Sequence, residues 1–149
     1  MLTTFDKDLL NLIQTKLPIA PRPFAQVAEW LKVDEATVLA RLNWLKDHGY
    51  IRRFGAFFDS SCLGYVSTLA AVKVSPTCIE AVAGAINAFP GVTHNYEREG
   101  EYDLWFTLLT PDQACQDLAL TAIRNLPGVD SLISLPATEK YKVSVEFNL

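Results

Sequence analysis

Two segments of this 149-residue chain follow one plan in the same order, and that repetition restricts the fold more than any other feature. An apolar stretch from Tyr65 to Val74 runs into Ser75-Pro76, which suits a helix cap followed by proline at the first helical position. The helix that follows ends at Phe89-Pro90-Gly91-Val92. The second copy begins with Tyr102 to Leu109, turns at Thr110-Pro111, continues as a helix to about Asn125 and stops at Leu126-Pro127-Gly128-Val129. A last stretch reaches Val143-Ser144-Val145-Glu146-Phe147. The order β-α-β-β-α-β predicts a ferredoxin-like domain over residues 61–149.

The two copies meet in a stretch rich in reactive side chains, His94-Asn95-Tyr96-Glu97-Arg98-Glu99-Gly100-Glu101-Tyr102-Asp103-Leu104-Trp105-Phe106-Thr107. Period-two alternation on both sides of Glu99-Gly100-Glu101 predicts a hairpin with a three-residue connection. In that register Arg98 faces Tyr102, Tyr96 faces Leu104 and His94 faces Phe106. His94, Tyr96 and Arg98 then share a face, while Trp105 falls on the other and is assigned to packing or a subunit interface. A bulge near Gly100 would change what the trio faces across the turn.

Residues 1–60 read as a winged helix-turn-helix. Thr4 caps a first helix carrying Leu9, Leu10, Leu12, Ile13 and Leu17, ended by Pro18 to Pro21. Pro23 opens a second, Phe24 to Leu31, and Asp34 caps a third that ends at His48-Gly49. Tyr50 to Asp59 is strand-like and serves as wing or linker. Trp30 and Trp44 are read as core residues, and His48 as a C-cap side chain favoured by the helix dipole.

Composition narrows the function classes. No apolar run approaches the roughly 20 residues of a membrane span, and the N-terminus lacks the pattern of a signal peptide, so a cytoplasmic protein is expected. Cys62, Cys78 and Cys115 form no C-x-x-C pair and there are only two histidines, which favours reduced, inert thiols over disulfides or a structural zinc site. A formal charge of −4 argues against a general affinity for nucleic acid.

A winged helix-turn-helix followed by a ferredoxin-like domain, with Gly100-Glu101-Tyr102-Asp103 at the central hairpin, resembles the Lrp/AsnC regulators over the whole chain. The opening Phe5-Asp6-Lys7-Asp8-Leu9-Leu10 and the junction Gly49-Tyr50-Ile51-Arg52-Arg53-Phe54-Gly55-Ala56 are similar too. Within that superfamily, Ile51 to Ala56 and His94 to Arg98 followed by Leu104-Trp105-Phe106-Thr107 resemble the siroheme decarboxylases. The resemblance implies non-oxidative loss of two acetate carboxyl groups from siroheme, giving 12,18-didecarboxysiroheme on a route to haem or haem d1. It also implies a complex of two related subunits, with no cofactor beyond the iron of the substrate tetrapyrrole.

The residues suit that chemistry. Siroheme is a flat macrocycle edged by carboxylates, and Arg52, Arg53 and Arg98 are candidate rim contacts because guanidinium pairs with carboxylate in a fixed geometry. Because Arg52 and Arg53 alternate if extended, at most one reaches a given ligand. Tyr102 is a further substrate contact. Loss of carbon dioxide leaves a carbon that needs a proton, and His94 is the candidate acid or, alternatively, an axial ligand of the substrate iron. Tyr96 is a second proton donor, less apt because a phenol titrates near 10.

Two other readings stand beside this one. A DNA-binding regulator with a small-molecule effector would need a basic third helix, yet Asp34 to Asp47 carries two basic residues against three acidic. Arg41, Asn43 and Lys46 are its only evident phosphate contacts. Alternatively, the chain completes the site of a catalytic paralogue. A sheet with helices on one face needs cover on the other, so at least a homodimer or heterodimer is expected.

Overall fold

The computed structural model describes residues 1–56, 58–142 and 146–149, in two compact units. One comprises residues 1–56 with 142–149, the other residues 57–141.

The first unit contains three helices: α1 (Thr4–Lys16), α2 (Pro23–Leu31) and α3 (Glu35–Asp47). The cap of α1 is Thr3, one residue earlier than the sequence suggests, because Asp6 completes a capping box with it. Pro23 opens α2 and the Asp34 side chain caps α3, as read from the sequence. The turn between α2 and α3 is closed by Lys32 in the left-handed region at φ 56°. Leu9, Val27, Ala28, Val38, Leu42 and Leu45 make the core. Trp30 is not in it; half of its surface is exposed.

Residues 50–56 form no strand. The amides of Tyr50 and Ile51 donate back to the Leu45 carbonyl, so the segment closes α3 where a wing was expected. Phe57 lies outside the described residues, as do Val143, Ser144 and Val145 of the expected last stretch. Beyond these, Phe147 and Leu149 group with the helical unit because α1 holds their backbone. Gln14 Nε2 donates to the Phe147 carbonyl (2.7 Å) and Gln14 Oε1 accepts its amide (2.9 Å). Asn11, one helical turn earlier, makes the same pair with Leu149.

The second unit has the order β1 (Val66–Val74), α4 (Ile79–Asn87), β2 (Val92–Glu97), β3 (Leu104–Thr110), α5 (Gln113–Arg124) and β4 (Val129–Leu135). Its strands form one antiparallel sheet in the order β2-β3-β1-β4, the ferredoxin-like arrangement. Pro76 opens a short 3-10 turn before α4, and Asp112, two residues past Thr110, caps α5 through the Cys115 amide. Thr110 itself ends β3. Strict alternation in β3 sends Leu104, Phe106 and Leu108 into the core beneath the helices, with Ala70, Val72, Val82, Ile86 and Ile123.

Both Pro-Gly-Val stops have a packing reason. The Gly91 carbonyl accepts the Leu109 amide (2.8 Å), and a side chain at Gly91 would collide with the Leu109 carbonyl. The Gly128 carbonyl accepts the Ser75 amide (2.8 Å), and a Cβ there would lie 2.5 Å from Cys78 Cβ. Each repeat's stop thus clamps the strand end of the other repeat.

Candidate active site on the open face of the sheet

Because β3 turns Leu104, Phe106 and Leu108 toward the helices, its other residues face the side that carries none. Across β2 and β3 the pairs are Val92 with Leu108, His94 with Thr107, Asn95 with Phe106, Tyr96 with Trp105 and Glu97 with Leu104. The step between Val92 and His94 contains one extra residue, Thr93. Val92 keeps the register read from the sequence; the bulge at Thr93 shifts every later pair by one. His94 therefore faces Thr107, not Phe106, and Tyr96 faces Trp105, not Leu104.

This corrects the placement of Trp105. Cross-strand partners share a face, so Trp105 stands beside Tyr96 and on the side of His94. The expected Arg98–Tyr102 pair is also replaced: the Arg98 amide donates to the Asp103 carbonyl (2.8 Å), leaving four residues in the connection. Tyr102 falls in that connection, its carbonyl accepting Trp105 Nε1–H (3.2 Å) and its ring edge-on to the indole at 6.4 Å. Asp103 closes the base, accepting the Val74 amide on Oδ2 (2.7 Å) and donating its own amide to Val72 (3.0 Å).

The result is a row of aromatic groups. The His94 and Tyr96 rings lie nearly parallel, 6.2 Å apart, and Tyr96 is half exposed. His94 Nδ1 is 3.1 Å from the Thr93 hydroxyl, and either can be the donor. Asn95, between them, points the other way and donates to Asn87 and the Ala83 carbonyl on α4. On the inner strands, Trp105 pairs with Ala71 and Ala71 with Ile133; Thr107 pairs with Leu69 and Leu69 with Leu135. The row is partly apolar and partly exposed.

Of the residues selected from the sequence, His94, Tyr96 and Tyr102 are brought into this cluster, and Arg98 is exposed where β2 ends. Arg52 and Arg53 are exposed residues of the helical unit and are not part of the sheet. Sequence reasoning did not place Trp105 and Thr107 on the face of His94 because Thr93 carries no local sign of a bulge. Among the described residues no group of three or more His, Cys, Asp or Glu side chains is arranged to hold a metal ion. A groove of about 330 Å³ between α1 and α2, lined by Asp8, Lys16 and Trp30 among others, contains none of the selected residues.

The third helix commits one of its two basic residues internally. Arg41 donates through Nε and Nη2 to the fully buried Asp6, and its guanidinium lies 4.0 Å from the Trp44 ring centroid. Arg41 holds the Asp6 carboxyl well below the usual carboxylate range, against the effect of burial and with help from Thr3. His48 is the C-cap of α3, its Nδ1 2.8 Å from the Trp44 carbonyl and its ring stacked on Trp44.

A helix-turn-helix unit joined to a four-stranded ferredoxin-like sheet defines an Lrp/AsnC-type protein, and AsnC of Escherichia coli shares the fold at a TM-score of 0.81 and 18% identity, over 97% of both chains. The family model for the siroheme decarboxylase NirDL-like HTH domain matches residues 6–52, and that for the AsnC-like ligand binding domain matches residues 62–142. The chain is 44% identical to the siroheme decarboxylase alpha subunit of Desulfovibrio desulfuricans, over 98% of its own length and 84% of that relative. A solved siroheme decarboxylase NirDL, in co-complex with an iron-uroporphyrin III analogue, is 31% identical at a TM-score of 0.67; the match covers 96% of this chain and 48% of that one. The chain belongs to the siroheme decarboxylase family within the Lrp/AsnC-like proteins.

Proposed function

We propose that this chain is a siroheme decarboxylase subunit that removes two acetate carboxyl groups from siroheme, giving 12,18-didecarboxysiroheme. The observation that carries this reading is the stacked His94–Tyr96 pair beside Trp105 on the helix-free face, in a chain of this family. In each step the bond between the acetate methylene and its carboxylate breaks, carbon dioxide leaves, and the electron pair is quenched by a proton, so a methyl group remains. No electron is gained or lost overall.

The macrocycle lies against the aromatic row, which excludes water from one of its faces and favours loss of a charged carboxylate. Arg98 takes a rim carboxylate, with Tyr102 beside it. His94 supplies the proton or holds the substrate iron, and Tyr96 is the second proton donor. One ring nitrogen does not perform both duties at once. A paralogous or identical partner subunit completes the open face; the NirDL structure, of which this chain matches about half, supports a site built from two such units.

The test is incubation of the purified chain with siroheme under anaerobic conditions, alone and with candidate partner subunits, followed by mass spectrometry. Loss of two carboxyl groups as carbon dioxide is expected, and an unchanged siroheme mass in every combination overturns the reading. His94→Ala should abolish turnover or change the spectrum of bound siroheme, and Arg98→Ala should weaken binding by about 1.5–3 kcal/mol.

A further inference from the structure

We propose that Lys73 is a further substrate-binding residue, taking a carboxylate of the tetrapyrrole rim on the same sheet face as His94, Tyr96 and Trp105. The inference rests on the functional reading above. Lys73 is on β1, next to the sheet's middle, and it pairs with Ser131 of β4. The flanking Val72 and Val74 are buried in the core beneath the helices, so alternation turns Lys73 to the open face, where it is exposed. Two residues back, Ala71 pairs with Trp105, and Trp105 pairs with Tyr96. The ammonium group therefore stands one step along the strand from the aromatic row.

On that face Ser131 is its partner on β4, Ala71 and Ile133 lie one pair further along, and the continued β1–β3 register sets Asp103 on its other side. Among the described residues no carboxylate is within 4 Å of its ammonium; the ion pairs are Arg22–Glu35, Arg41–Asp6 and Lys140–Asp59. Asp103, next along β3, directs Oδ2 to the Val74 amide. Once a ligand or partner covers the face, an uncompensated ammonium is penalised heavily, so whatever binds there must bring an anion. A planar molecule edged by carboxylates meets both demands, with its face on Trp105 and Tyr96 and its edge on Lys73.

Absorbance titration with siroheme tests this for wild type, Lys73→Met, Lys73→Arg and, as a control for loss of one surface charge, Lys7→Met. Each is measured at low and high salt, with oligomeric state followed by sedimentation. Lys73→Met is expected to raise the dissociation constant roughly tenfold and to flatten its salt dependence, with Lys73→Arg restoring most of the affinity and Lys7→Met behaving as wild type. Wild-type affinity in Lys73→Met overturns the assignment while leaving the decarboxylase reading intact. Weaker binding that accompanies dissociation of subunits overturns it as well, because Lys73 then serves the subunit contact. Failure of wild type to bind siroheme overturns the decarboxylase reading and the Lys73 assignment with it.

Discussion

The hydrogen bond between Thr93 and His94 has two directions, and each corresponds to one role for the imidazole. When the hydroxyl donates, Nδ1 accepts and the mobile proton sits on Nε2, ready for transfer to carbon. When Nδ1–H donates, Nε2 keeps its lone pair and suits an iron ion. Either way the bond orients an exposed ring that would otherwise turn freely. Thr93→Val, which keeps the shape and removes the hydroxyl, is therefore expected to lower the decarboxylation rate about 10- to 100-fold, with Thr93→Ser close to wild type. Equal rates in all three would show that the 3.1 Å contact has no part in positioning His94. Arg41 makes a complementary point: its identity suggests a phosphate contact, and only its burial partner, Asp6, reveals that the charge is already engaged.

At the scale of elements, the second unit is held by exchanges between its repeats. The glycine carbonyl of each Pro-Gly-Val stop accepts an amide from the strand end of the other copy, that of Leu109 for Gly91 and of Ser75 for Gly128. Gly91 has no positive φ; glycine is needed there because β3 passes too close for a side chain. Gly91→Ala is predicted to destabilise the protein by about 2–3 kcal/mol, since backbone on both sides must move, and chemical denaturation measures this directly. A loss below about 0.5 kcal/mol would mean that the strand end relaxes freely. The same elements show what could be read in advance. Both repeats, the Asp34 cap, the Pro23 helix start and the hairpin were legible, because proline, glycine and alternation act locally. The bulge at Thr93 was not, because it follows from fitting β2 to β3 and α4 together, and Thr93 itself carries no local mark.

For the whole molecule, the consequence is an uncovered sheet. Leu69 and Leu135, at the end of edge strand β4, pair with each other on the helix-free face and remain 42% and 47% exposed, more apolar surface than a solitary sheet usually leaves in water. Sedimentation should give at least a dimer for the wild type, and Leu69→Asp with Leu135→Asp should shift it toward the monomer. An unchanged sedimentation coefficient would mean that the face is covered elsewhere or not at all. No helix among the described residues is long and apolar enough to cross a membrane. Phe147 and Leu149 add a feature of connectivity: they follow the sheet in sequence but are held by Gln14 and Asn11 of α1.

By itself the sequence determined the three helices of the first unit, the order of elements in the ferredoxin-like unit, the presence of His94 and Tyr96 on one strand face, and the family. These are set by period, caps and breakers within a few residues of one another, so they survive without knowledge of the rest. Only the tertiary structure decided that Trp105 joins that face, that Tyr102 and Asp103 secure the hairpin base, that Arg41 is committed to Asp6, and that Lys73 is exposed on the face of the row. Each of these is a relation between residues brought together by packing. A single added residue in one strand rotates its partners by a full face, and no local preference in the chain records it.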